Sequence, residues 1–151
     1  MKDEIIQLLM ALLGSLGFAL LFKIRNKLLP AAAVGGFINW GAYLLFCQVT
    51  DIAFLACFGA AAVSVIYCEI AARILKAPIT LFLVPSIVPL VPGSSLFYTM
   101  SSIVRNDWTA AKHFGLLTTE FALGIAAGIC LSTVVFSIIN RVMSKKLHKL
   151  G

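Results

Sequence analysis

Long apolar runs alternate along this chain with short polar or charged breaks. The runs cover 5–22, 28–49, 52–75, 78–104 and 114–139. Each is long enough to cross a bilayer, whose ~30 Å hydrocarbon core takes ~20 helical residues. The breaks are the basic cluster Lys23, Arg25 and Lys27, the pair Thr50 and Asp51, the basic positions Arg73 and Lys76, and a polar connector from Arg105 to His113. This pattern predicts an all-α integral membrane protein, one membrane domain over 1–151, with five transmembrane helices of which the fourth is broken by prolines. Asp3 and Glu4 stand where a cleaved signal peptide carries positive charge, so the first run reads as a retained span.

Composition strengthens this picture. Hydrophobic residues make up 61% of 151 positions and charged residues 12%, with a mean hydropathy of +1.03. That is too little polar surface to cover a soluble domain. The net charge of +6 sits at the ends of the apolar runs, where it meets lipid head groups, so the expected partner is the lipid bilayer and no nucleic acid. With the N-terminus outside, the inner segments hold Lys23, Arg25, Lys27, Arg73, Lys76, Arg141, Lys145, Lys146 and Lys149; the outer segments hold Lys2, Arg105 and Lys112. The asymmetry predicts an N-out, C-in topology. Treating the fourth run as a re-entrant loop gives four spans and puts the basic tail on the wrong face.

Cys47, Cys57, Cys68 and Cys130 all lie within apolar runs without a CxxC pair, and read as small buried hydrophobes. His113 and His148 lie near run ends with no companion ligand. No metal, no cofactor and no catalytic residue is expected.

The fourth run carries the chemistry. It reads Val84-Pro-Ser-Ile-Val-Pro-Leu-Val-Pro-Gly-Ser-Ser, with Pro85, Pro89 and Pro92 at spacings of four and three. Each interior proline removes a backbone donor and clashes with the preceding turn, costing ~3 kcal/mol or more in a regular helix. Carbonyls freed at membrane depth need a partner from protein, water or ligand. A helix restarting after Pro92 and Gly93 would point the N–H groups of Ser94 and Ser95 into the interior, where such an end attracts anionic groups. Discontinuous helices of this kind build substrate sites in secondary transporters. Candidate substrate-binding residues are therefore Pro85, Ser86, Pro89, Pro92, Gly93, Ser94, Ser95 and Tyr98; a kink that only shapes packing is the structural alternative.

Two carboxylates fall inside runs, where ionisable groups are costly. Glu69 precedes Arg73 by four residues, so an ion pair and a proton-coupling role are both open to it. Glu120 has no basic residue at i+3 or i+4 and is the stronger candidate proton carrier, with Thr118 and Thr119 near enough to orient it. Glu120, Gly124, Gly128 and Ser132 share one helix face, and the GxxxG segment suits close packing, expected here against the broken helix. Gly35 and Asn39 form a similar stripe, with Asn39 read as an interhelical hydrogen-bonding residue.

The stretch from Glu69 to Met100, with its Pro-Leu-Val-Pro-Gly core followed by a tyrosine, resembles the threonine/serine exporter family. The whole chain looks like the family's short-subunit branch, which corresponds to the C-terminal half of fused exporters. Ser86 stands where the family often has glycine. The resemblance implies export of an amino acid or small organic acid, together with a longer membrane subunit of the same family, in a bacterial inner (plasma) membrane. The competing expectations are a non-transporting assembly or scaffold subunit and a homo-oligomeric channel. An intramembrane enzyme has no zinc-ligand pair, serine–histidine arrangement or paired aspartates within the runs to support it.

Overall fold

The apolar runs become helices because a helix satisfies the backbone of a single segment within itself, as a bilayer requires. In the computed structural model, which describes the backbone of residues 2–147 and the side chains of 4–139 and 141, these are α1 (Lys2–Leu21), α2 (Leu29–Val49), α3 (Ala53–Leu75), α4 (Thr80–Ile87), a 3-10 turn (Val88–Leu90), α5 (Gly93–Val104) and α6 (Trp108–Leu147). The side chains of Lys145 and Lys146, together with His148 and Lys149, lie outside the described residues. Among the described residues, four helices are long and apolar enough to cross a membrane, and five spans result if the pair Thr80–Leu90 and Gly93–Val104, bent by 50°, counts as one.

The helix ends follow local chemistry. Pro30 opens α2 within its first turn, where its missing N–H is one of the unpaired donors anyway. α3 closes on Lys76 in the left-handed region (φ 50°), with the Ala77 N–H donating to the Ala72 carbonyl at 3.1 Å. Lys23 (φ 52°) and Asn106 (φ 58°) turn the chain the same way after α1 and α5. The expected polar connector over 105–113 shrinks to three residues, because α6 starts at Trp108. Asp107 caps it by accepting from the Ala110 N–H at 3.1 Å. α6 thus has 40 residues, about 60 Å at 1.5 Å per residue, twice the thickness of the hydrocarbon core.

The packing is that of a membrane bundle. The core of α1–α4 is made mostly from small side chains: Ala11, Ala19, Ala32, Ala33, Ala56, Ala60, Ala61, Cys57 and Cys68 are buried, with Phe82 and Val65 the largest hydrophobic side chains fully enclosed among them. Large side chains such as Leu9, Leu13, Leu45, Ile66, Ile74, Leu123 and Val134 are exposed. A soluble core would reverse this; in lipid, small residues let backbones approach while large ones meet acyl chains. The GxxxG stripe packs on α3 and not, as expected, on the broken helix. A Cβ at Gly124 would lie 2.6 Å from the Phe54 carbonyl oxygen, and one at Gly128 would lie 2.6 Å from that of Phe58. The matched step of four residues on both helices makes α3 and α6 parallel. The broken segment divides its contacts instead: α4 packs on α2, α3 and α1, whereas α5 packs on α6.

Candidate functional site

The break is milder than three prolines suggest. Pro85 lies inside α4, Pro89 in the first positions of the 3-10 turn, and only Val91 and Pro92 leave helical geometry before α5. A neighbouring helix meets the end of α4. The Asn39 Nδ2 amide of α2 donates to the Ser86 carbonyl at 2.7 Å. This partner comes from another helix, just where the α-helical pattern gives way to the tighter turn. The Ser86 hydroxyl donates to the Phe82 carbonyl at 2.6 Å and receives the Cys68 thiol at 3.8 Å.

Glycines on α2 make this arrangement sterically possible. A Cβ at Gly35 would collide with Ser86 Oγ, and one at Gly36 would collide with Ser15 Oγ of α1. Ser15, Asn39, Ser64, Cys68 and Ser86 are all fully buried. Ser15, Asn39 and Ser64 each fall within the middle third or so of α1, α2 and α3, and Ser86 joins them from α4. A polar cluster therefore occupies the middle of the four-helix bundle. Ser15 Oγ and Asn39 Oδ1 have no hydrogen-bond partner among the described residues. Such orphans cost about 1–3 kcal/mol each.

Beside the cluster lies an open cavity of about 270 Å³, lined by Gln7, Met10, Ala11 and Gly14 of α1, Trp40 of α2, and Val88 and Pro89 of the 3-10 turn. Trp40 Nε1 donates to Gln7 Oε1 at 3.3 Å, joining two of its walls. Beyond the bend, α5 has no buried residue. Gly93, Ser94 and Tyr98 are exposed, Ser95 and Pro92 are half-buried, and a Cβ at Gly93 would meet nothing within 4 Å. The helix end expected to face the interior thus lies on the surface of this chain, because the 50° bend swings α5 onto α6. There Tyr98 stacks near Phe114 with ring centroids 5.2 Å apart. The candidate residues divide in two: Pro85, Ser86 and Pro89 at the cluster and cavity, and Pro92 to Tyr98 on the outer arm.

A family model described as threonine/serine exporter, ThrE, matches residues 7–147, from the cavity wall in α1 to the end of α6. The chain belongs to the threonine/serine exporter family. No curated protein matches it, and no solved structure does. Membership of an exporter family together with several apolar helices makes it a membrane transport protein, and speaks for transport over catalysis.

Elsewhere in this exporter chain, Glu69 is paired: its Oε2 lies 3.6 Å from Arg73 Nε. Glu120 is exposed on α6 and forms no ion pair among the described residues. Thr118 and Thr119 do not orient it through their hydroxyls, which donate to the Phe114 and Gly115 carbonyls one turn back. Sequence reasoning passed over Ser15, Gln7 and the partnership of Gly35 with Ser86, and it read Ser64 as a small packing residue. The available signal was positional: Ser15, Asn39 and Ser64 each sit near the middle of an apolar run.

Proposed function

We propose that this chain is the small subunit of a two-component secondary exporter for threonine/serine-like amino acids or small organic acids in a bacterial inner membrane. It crosses the membrane five times, N-out and C-in, and works with a longer subunit of the same family. The observation that carries this reading is the Pro89–Pro92 break. There an apolar segment bends by 50° beside a cavity, and α2 lends a side-chain donor to the backbone ahead of the bend. Discontinuous helices at membrane depth are how secondary transporters expose backbone groups to substrate.

Coupling falls to Glu120. Glu69 has Arg73 as a counter-charge, whereas Glu120 projects from a lipid-facing helix, where an uncovered carboxylate is costly. A partner subunit covering α6 relieves that cost and gives the proton a protected route.

Proteoliposomes holding both subunits test the reading. L-threonine efflux driven by a pH gradient should fall at least about tenfold for Glu120→Gln and for the Pro89→Ala/Pro92→Ala pair, a loss of ~1.4 kcal/mol or more in the rate-limiting step. Wild-type flux from variants that still assemble refutes these site assignments.

A further inference from the structure

At one end of the bundle α1 ends at Leu21 and α2 begins at Leu29, while α3 ends at Leu75 and α4 begins at Thr80. The two connectors between these helices converge around a cavity of about 340 Å³. Arg25 and Lys27 line it from the first connector and Lys76 from the second. None of the three forms an ion pair among the described residues, and no carboxylate lines the cavity. Glu69, on the last turns of α3, is already paired with Arg73. Three like charges around one cavity repel each other, and an anion seated among them removes that repulsion. The floor of the cavity is apolar. Leu28 and Leu81 line it and pack in the core around Ala19, Cys68 and Phe82. Leu75, also in the lining, is exposed and extends the apolar surface outward.

We infer that this cavity is a binding site for the headgroup of an anionic phospholipid. Its phosphodiester is held by Arg25, Lys27 and Lys76, and its glycerol and first acyl carbons lie on Leu28, Leu75 and Leu81. Cations at the ends of apolar helices sit at headgroup depth, and basic pockets between membrane helices suit anionic headgroups. The Arg25 guanidinium can meet two phosphate oxygens with parallel N–H donors. A zwitterionic lipid brings a cation of its own, which the three basic residues repel. Inorganic phosphate answers the charge but leaves the leucines uncovered. Bound lipid ties the connector ahead of α2 to the one ahead of α4, and so steadies the entry to the broken segment. The site depends on neither the exported substrate nor a second subunit.

Lys76 is held in the left-handed region (φ 50°), where glycine fits better than any side chain. Lys76→Gly therefore removes the charge without straining the backbone. Lys23 has the same conformation (φ 52°) and lies outside the lining, so Lys23→Gly is a control matched in charge and backbone. Lipid binding is read by native mass spectrometry of the full chain, released from micelles doped with phosphatidylglycerol or with phosphatidylcholine of the same acyl chains. The wild type should bind phosphatidylglycerol at least about tenfold more tightly than phosphatidylcholine. Lys76→Gly should lower that affinity at least about fivefold, and Lys23→Gly should change it by less than about twofold. Arg25→Gln, which leaves the Lys76 turn untouched, should lose as much as Lys76→Gly. Millimolar inorganic phosphate should leave bound phosphatidylglycerol in place. Equal affinity for the two lipids, or equal losses for Lys76→Gly and Lys23→Gly, overturns the inference. Displacement of phosphatidylglycerol by inorganic phosphate makes this a site for the free anion and overturns the lipid assignment.

Discussion

Gly35→Ala is the smallest change that attacks the junction of α2 with the broken segment. The added methyl falls onto Ser86 Oγ, 3.0 Å from Ser86 Cβ and 3.1 Å from Tyr67 Cε1. Neither neighbour yields easily. Ser86 is fixed to α4 through Phe82, and Tyr67 is tethered by its hydroxyl to the Ala31 carbonyl at 2.7 Å. The helices must separate instead, which stretches the 2.7 Å bond from Asn39 to the Ser86 carbonyl. Overpacking costs about 1–3 kcal/mol, and weakening that hydrogen bond adds about 1 kcal/mol. The expected total is a destabilisation of about 2–4 kcal/mol. Ser86→Gly removes the obstacle, so the double variant should recover most of the loss, with a coupling energy of about 1–3 kcal/mol. Reversible unfolding in mixed micelles, followed by helical circular dichroism across the four-member cycle, measures it. Strict additivity of the two single changes would show that Gly35 and Ser86 do not meet, and the packing account of the junction would fail.

Other positions test other parts of the account. Asn39→Leu deletes the donor to the Ser86 carbonyl while keeping the number of side-chain heavy atoms and should cost about 1–3 kcal/mol in the same unfolding assay; no loss means that carbonyl finds another partner. Gly128→Leu should split α6 from α3 and cost at least as much as overpacking usually does, about 1–3 kcal/mol, seen as loss of a disulfide crosslink engineered between the two helices; retention of the crosslink contradicts the packing described for them. Asp107→Ala should cost about 1 kcal/mol through the lost α6 cap, with faster amide exchange confined to the first turn of α6. A double-mutant cycle on Glu69 and Arg73 should return about 0.2–0.5 kcal/mol, as expected for an i,i+4 pair.

The hydrophobic runs located most of the helices because, in a bilayer, length and apolarity alone determine a span. α2 and α3 begin within one residue of where their runs begin. The start of α6 was harder to read. Lys112 and His113 interrupt the apolar pattern, yet a helix tolerates them on its exposed side once Asp107 caps it. The prolines misled in the opposite direction. Pro85 is accommodated inside α4 and Pro89 at the start of the 3-10 turn, while Asn39, from a segment 47 residues away, supplies a partner to the Ser86 carbonyl at the end of α4. The packing of Gly124 and Gly128 was visible as a motif, but its partner was not, since a small-residue face fits any helix that presents another. For the same reason the polar cluster stayed hidden: Ser15 and Ser64 look like ordinary small residues until four helices bring them to one depth.

Substrate protection at the break is the most direct test of the transport site. In a background lacking Cys47 and Cys130, which are exposed, Val88→Cys places a thiol in the cavity wall beside Pro89. Maleimide labelling of this cysteine in the two-subunit complex should slow at least about fivefold with saturating L-threonine and be unaffected by an equal concentration of sodium chloride, as expected when a bound ligand excludes the reagent. Labelling at the same rate with and without L-threonine, in a complex that still exports it, would place the substrate path elsewhere.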